Sequence, residues 1–269
     1  MTILEIPKQH HDWLRKAARA GYVARGLVFL IIGYFAFRAA YATGTAMGTE
    51  GAVDTVAGSA FGTVALSALV TALACFTVWR LIQMYFDVDE HGLDPKGVFA
   101  RLGLLISAFA YGGTAFYAAS VLAGIRSDGG GGSGVVAAAY DAGYGVWITY
   151  LVSLGMAVAG AAHIYKGIIA GFEKYMTIPA DKRAWLRPVC RFGLIARGVT
   201  FFVLAGLLFT GAVSYGEGDT PGLEAALQAM SNWTFGWVLL SLTGLGLIAF
   251  GIYACVEALY RRIHIEKVG

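Results

Sequence analysis

Arg19-Ala20-Gly21-Tyr22-Val23-Ala24-Arg25-Gly26-Leu27-Val28-Phe29 is the stretch on which the fold turns, because the chain writes it again. Downstream stands Arg191-Phe192-Gly193-Leu194-Ile195-Ala196-Arg197-Gly198-Val199-Thr200-Phe201, which matches it at Arg, Gly, Ala-Arg-Gly and Phe. Between the two lies a third copy, Arg101-Leu102-Gly103, followed by Ser107, Ala108, Phe109 and Tyr111, with Ser-Ala where the others carry Arg-Gly. Each copy opens a long apolar run, and a second apolar run follows each. Self-similarity at a fixed period means one structural unit used repeatedly. The unit expected here is a two-helix hairpin, spanning about Trp13 to Phe86, Phe99 to Phe172 and Val189 to Tyr260.

Composition supplies the solvent. The chain is 58% hydrophobic, only 14% charged and rich in glycine, and its mean hydropathy is +0.65. These values belong to membrane proteins. Uncharged stretches run from Thr55 to Trp79, Leu102 to Ile125, Ala142 to Tyr165, Gly198 to Gly216 and Ala225 to Val256. A sixth begins near Tyr22 and carries Arg38 toward its far end. Roughly 20 residues suffice to cross a bilayer. The expectation is an all-α integral membrane protein of six transmembrane helices, one hairpin in each of 1–90, 91–180 and 181–269. An even number of helices per unit gives parallel copies about an axis along the membrane normal, hence a pseudo-threefold bundle. In the second helices Gly62, Gly145 and Gly236 share one register, followed by Ala72, Gly155 and Gly246 and by Thr77, Gly160 and Gly251. Small residues at matched depths permit close backbone approach in lipid.

Charge sets the expected orientation. With the N-terminus inside, all of the 20 Lys and Arg except Arg38 and Arg126 fall on the cytoplasmic side. This positive-inside bias predicts a bacterial inner-membrane protein with both termini cytoplasmic. The formal charge of +3 then reports topology and does not indicate nucleic acid. No apolar core with a cleavage site precedes the first span, so a removable signal peptide is not expected. Cys75, Cys190 and Cys255 lack metal-ligand spacing and read as free thiols. Short amphipathic elements are expected at Ala52 to Ala57 and around Pro221 to Met230, with an interfacial lead-in at Trp13 to Arg19. The Gly129 to Gly134 run reads as a flexible loop.

The repeated Arg-x-Gly-x-x-Ala-Arg-Gly-x-x-Phe signature, the thrice-copied helix pairs and the chain length resemble domain-of-unknown-function family 1206. The resemblance implies a bacterial membrane protein of three two-helix units. The family has no established activity, so the resemblance adds no catalytic residue.

The candidate residues are ionisable groups at membrane depth. Arg19, Arg25, Arg101, Arg191 and Arg197 are candidates for lipid or anion binding, since a guanidinium fork matches phosphate or carboxylate. The competing reading, preferred for Arg25 and Arg197, anchors them in the headgroup layer with lipid contact as a by-product. Arg38 is unique to the first unit and lies only about 20 Å along the helix from Arg25. An ion pair with Asp54, Asp141 or another outer carboxylate is expected for it. Arg80, His163, Lys166 and Glu257 lie near the cytoplasmic ends of the second helices, and Glu257 is expected to pair with Arg197 or Lys166. A haem site at His163 lacks a second histidine within a span. Nucleophile-base motifs, phosphate loops and zinc spacings are absent. The expectation is a non-catalytic protein without cofactor that binds lipid, a hydrophobic cofactor or a membrane-protein partner. The lipid expected is anionic. A channel or transporter for a small solute, anionic or not, is the alternative.

Overall fold

Why each motif residue recurs becomes clear at the seams between helices. The computed structural model describes residues 11–41, 46–125, 145–214, 227–228 and 230–263. These residues form seven α-helices and no strand: α1 (His11–Ala39), α2 (Thr49–Ala57), α3 (Gly62–Phe86), α4 (Pro95–Leu122), α5 (Gly145–Ile168), α6 (Ala180–Ser214) and α7 (Gly236–Tyr260). All but α2 are long and apolar enough to cross a membrane. The short element expected at Ala52 to Ala57 is α2, and the lead-in at Trp13 is continuous with α1. Helix α6 starts well before its uncharged stretch and carries Pro188 in its first third. The Gly129 to Gly134 run, Arg126, Asp141 and the Pro221 to Glu224 stretch lie outside the described residues.

Local chemistry sets the ends. All three second helices begin on the register-matched glycines Gly62, Gly145 and Gly236. At Gly62 and Gly236 the chain turns on similar N-cap geometry, φ −110° at Phe61 and −114° at Phe235. A Cβ on Gly62 would strike the Ala57 carbonyl, and one on Gly236 the Ser231 carbonyl, so the turn excludes any larger residue. Helix α4 is started by Asp94, whose carboxylate accepts from the Gly97 N–H at 3.1 Å, with Pro95 in the first turn. Helix α3 stops at Asp87, a left-handed residue (φ 49°) whose carboxylate accepts from the N–H groups of His91 and Gly92.

In the bundle, α1 packs most extensively on α7, α5 on α6 and α3 on α4. Within hairpins, α6 packs on α7 and α1 on α3. The motif glycines make these seams. Gly21 lies against Phe76 of α3, and Gly193 against Phe250 of α7, the same register position of each unit's own second helix. Gly26 faces the Gly251 carbonyl (2.9 Å from an added Cβ) and Gly198 the Gly160 carbonyl (2.7 Å), each on the second helix of the preceding unit in cyclic order. Without side chains, the backbones approach closely and dispersion holds the pair. Two of the three first arginines, Arg101 and Arg191, have a common task too. Arg101 donates to the carbonyls of Met84 and Tyr85 at the end of α3, and Arg191 to those of Gly167 and Ile168 at the end of α5. A cation on the last carbonyls satisfies orphan acceptors and the helix dipole together.

The middle unit departs from this pattern. A Cβ on Gly103 would meet nothing within 4 Å, although its counterparts Gly21 and Gly193 are tightly filled. Helices α4 and α5 make almost no contact with each other. Only 17% of the apolar window of each is buried, against 61% for α7. The described helices therefore form a ring with one open seam, between α4 and α5, rather than a closed threefold bundle. The outer faces of these two helices carry apolar stripes at helical spacing, Ile106, Phe109 and Phe116 on one and Trp147, Leu151, Leu154 and Val158 on the other, all exposed. Such stripes suit hydrocarbon as solvent.

Candidate functional site

Near the ends of α3, α5 and α7, on the side of the bundle where α1, α4 and α6 begin, here the basic end, buried charges meet. Glu257 on α7 is 2% exposed and accepts from two guanidiniums, those of Arg25 on α1 and Arg261 just past α7 (2.7 Å). Tyr253, one turn earlier on α7, interacts electrostatically with Glu257. Arg261 continues to Asp89 at 2.8 Å, Asp89 accepts from the Gln83 amide at 2.8 Å, and the Gln83 oxygen accepts from Arg80 at 3.1 Å. Two carboxylates thus tie together α1, α3, α7 and the loop after α3. At Arg261, outside the spans, burial opposes the charge, but Tyr22, Asp89 and Glu257 outweigh it and raise its pKa.

Aromatic rings surround the guanidiniums. Arg25 lies 5.2 Å from the Tyr22 ring centroid and 5.4 Å from those of Phe76 and Phe250. Arg197 lies 4.2 Å from Phe29, 4.6 Å from Phe201 and 4.7 Å from Phe250. The motif's phenylalanines, Phe29 and Phe201, therefore make the bed of Arg197, while Arg25 lies among Tyr22, Phe76, Phe250 and Tyr253. Tyr111, at the matching position of α4, stacks edge-on against Phe76. His163 of α5 meets Phe201 edge to face at 5.2 Å. All six spanning helices contribute to this level of the interior.

The charge does not balance. Arg25, Arg80, Arg261, Lys166 and Arg197 oppose Glu257 and Asp89, and Lys166 interacts electrostatically with Glu257, Arg261, Arg80 and Arg25. Lys166 also lies 5.6 Å from the Tyr175 ring, whose face Arg261 shares at 5.4 Å. Arg197 has no hydrogen-bond or ion-pair partner among the described residues; it rests against the three rings and interacts electrostatically with Tyr111 and Arg25. The Nε atoms of Arg25, Arg80 and Arg261 and the Tyr22 hydroxyl are buried and likewise without a partner among the described residues. A buried charge costs several kcal/mol unless paired, which bears on Arg25, Arg80 and Arg261, whereas Arg197 and Lys166 are part-buried. Among the described residues the unmatched charge at this level is positive.

The other candidates are placed as follows. Arg25 is 5% exposed, inside the bundle. Glu257 pairs with Arg25 and Arg261, not with Arg197 or Lys166 as its register suggested. Arg101 and Arg191 are occupied by helix-end carbonyls, while Arg19 is exposed with no hydrogen bond among the described residues. Arg38 is exposed over the Phe35 ring at 5.9 Å and forms no ion pair among the described residues. Asp54 instead accepts from the Tyr117 hydroxyl at 3.2 Å. Sequence reasoning passed over Asp89 and Arg261, which lie outside the spans. The spacing of Glu257 and Arg261 at i and i+4 was the signal that could have found the second.

These features define a polytopic helical membrane protein with an internal cation cluster near one end. The Domain of Unknown Function model DUF1206 matches residues 20–87 and 192–261, just over half of the chain, and the protein belongs to that family. The two matched regions are the first and third units, where Arg-Gly is intact. The chain is also similar to the uncharacterized protein YxxB of Bacillus subtilis, 28% identical over 267 residues that cover 98% of this chain and 97% of that one. No solved structure matches.

Proposed function

We propose that the protein binds an anionic membrane lipid, without altering it chemically, through the cation cluster. The observation that carries the reading is Arg197, a part-buried guanidinium held against three aromatic faces with no carboxylate partner among the described residues. Depth supports a lipid. Lys166 and His163 lie two and five residues before the end of α5, about 3 and 8 Å along its axis. That is the level where phosphates give way to acyl chains. The open seam between α4 and α5 gives the chains a lateral path, and apolar stripes flank it. In this reading the basic end faces the cytoplasm of a bacterium, where anionic lipid and positive-inside loops meet. Reporter fusions at Gly130 and at the C-terminus that report the same side would contradict this orientation. A pore for a small solute is the weaker reading, because Tyr22, Phe29, Phe76, Phe250 and Tyr253 fill the interior at this level and are all nearly inaccessible.

The test is native mass spectrometry of the full chain extracted from its own membrane in a mild neutral detergent. About one anionic phospholipid per chain should survive delipidation, and Arg197→Gln should lose it while keeping its thermal stability. Wild-type protein free of anionic lipid, or unchanged retention by the variant, would overturn the proposal.

A further inference from the structure

Resting on the lipid reading of the same cluster, we infer that His163 selects the headgroup: the ligand is an anionic phosphodiester that carries a free hydroxyl. His163 Nδ1 lies 2.8 Å from the carbonyl of Ala159, one turn earlier on α5. A carbonyl only accepts, so Nδ1 carries the proton and donates. In the neutral ring, Nε2 is then an acceptor, and it has no hydrogen-bond partner among the described residues. The ring is fixed from a second side by its edge-to-face contact with Phe201 at 89°.

Arg197 lies over that same Phe201 ring, its guanidinium 4.6 Å from the centroid, and both residues also share Phe250. A donor fork that wants an oxyanion thus stands beside a lone pair that wants an O–H. A phosphate diester satisfies Arg197 in its bidentate manner. It offers nothing to Nε2, because at neutral pH it has no proton to donate. An alcohol on the arm beyond the phosphate offers the missing donor. A glycerol-type headgroup has this combination, whereas a choline headgroup has neither net charge nor hydroxyl. The middle unit supplies the histidine at the register where the first unit has Arg80 and the third Ala254, so the acceptor stands on one side of the cluster only.

The experiment uses delipidated full-length protein in neutral-detergent micelles, with equal amounts of phosphatidylglycerol and phosphatidylpropanol of identical acyl chains. Phosphatidylpropanol keeps the phosphodiester charge and the three-carbon arm but lacks both hydroxyls. Occupancy of each is read from the same native mass spectrum. Wild type should favour phosphatidylglycerol by about tenfold, since a part-buried acceptor is left unsatisfied by the other lipid. His163→Leu should bring the ratio to near one while both lipids still bind through Arg197. His163→Gln, whose amide oxygen accepts, should keep part of the preference. A wild-type ratio near one, or a preference that survives His163→Leu, would overturn the inference and leave anionic-lipid binding standing. Should His163→Leu fail to fold, the wild-type ratio and the Gln variant carry the test. Absence of any anionic lipid on wild type would overturn both readings. A third arm adds soluble glycerophosphoglycerol. If it displaces the lipid at equal concentration, the acyl chains contribute nothing, so the membrane source falls while hydroxyl recognition is supported.

Discussion

Replacing Glu257 by Gln keeps the side chain's shape and removes its charge, and the consequences can be worked from the contacts. Glu257 is the common acceptor of Arg25 and Arg261, and its side chain is 2% exposed. With the amide in place, one oxygen remains for two guanidiniums, and the new NH2 group points a donor at a donor. Asp89 still neutralises part of Arg261, but Arg25 is left with aromatic faces alone. Removing one partner of a buried ion pair costs about 3–5 kcal/mol, chiefly because the other charge stays buried. At roughly 2–4 °C per kcal/mol for a chain of this size, the unfolding midpoint in detergent should fall by about 10 °C. Arg25→Met should cost less, since Glu257 retains Arg261. The double variant should recover at least about 1 kcal/mol relative to the sum of the two, as residues in direct contact do not act additively. Thermal unfolding followed by tryptophan fluorescence and by aggregation measures all three. A loss under about 1 kcal/mol for Glu257→Gln would refute the reasoning, because it would mean the two arginines are hydrated or otherwise paired.

Three further outcomes follow from other parts of the fold. Gly26→Ala should destabilise by about 1–3 kcal/mol, since its Cβ would lie 2.7 Å from the Cys255 sulfur and 2.9 Å from the Gly251 carbonyl, whereas Gly103→Ala, with open space, should leave the midpoint unchanged or slightly raised. Arg191→Gln and Arg101→Gln should each cost about 1.5–3 kcal/mol in chemical unfolding through lost charged bonds to helix-end carbonyls, and Arg19→Gln should cost clearly less. At Asp87, outside the spans, slight burial would raise the pKa, but the N–H groups of His91 and Gly92 outweigh it and hold the carboxyl below its usual range. A depressed folded pKa gives stability that is complete above the unfolded value of about 4 and lost as pH falls through the folded one. Asp87→Asn, which tolerates the left-handed backbone, should therefore narrow the gap between stability at pH 5 and at pH 3; an unchanged acid limb would contradict the assignment.

How far the sequence reaches is visible residue by residue. The copies of Arg-x-Gly-x-x-Ala-Arg-Gly and the matched glycines of the second helices are local patterns. They announced the six long helices, and Gly62, Gly145 and Gly236 are where three of those helices start. Length and hydropathy carry that much because lipid imposes them. The ion pair of Arg25 and Glu257 joins positions 232 apart in the chain, so no local pattern could state it, and a boundary role for Arg25 was the natural reading of an arginine opening an apolar run. The open seam was hidden for a different reason. Gly103 carries the same letter as Gly21 and Gly193, and only the absent contact between α4 and α5 distinguishes it. The Ser107-Ala108 replacement does not announce the open seam, because that position belongs by register to the seam between α4 and α3, which is closed and buries Ala108.

The central claim is that Arg197 holds the phosphate of an anionic lipid. A crystal structure of the full chain grown from a lipidic mesophase doped with phosphatidylglycerol measures this most directly. The account predicts phosphate density within hydrogen-bonding distance, about 2.7–3.2 Å, of the Arg197 guanidinium, with acyl density leading out between α4 and α5. An Arg197 guanidinium bonded to a protein carboxylate, with lipid phosphates confined to the outer surface of the bundle, would contradict it.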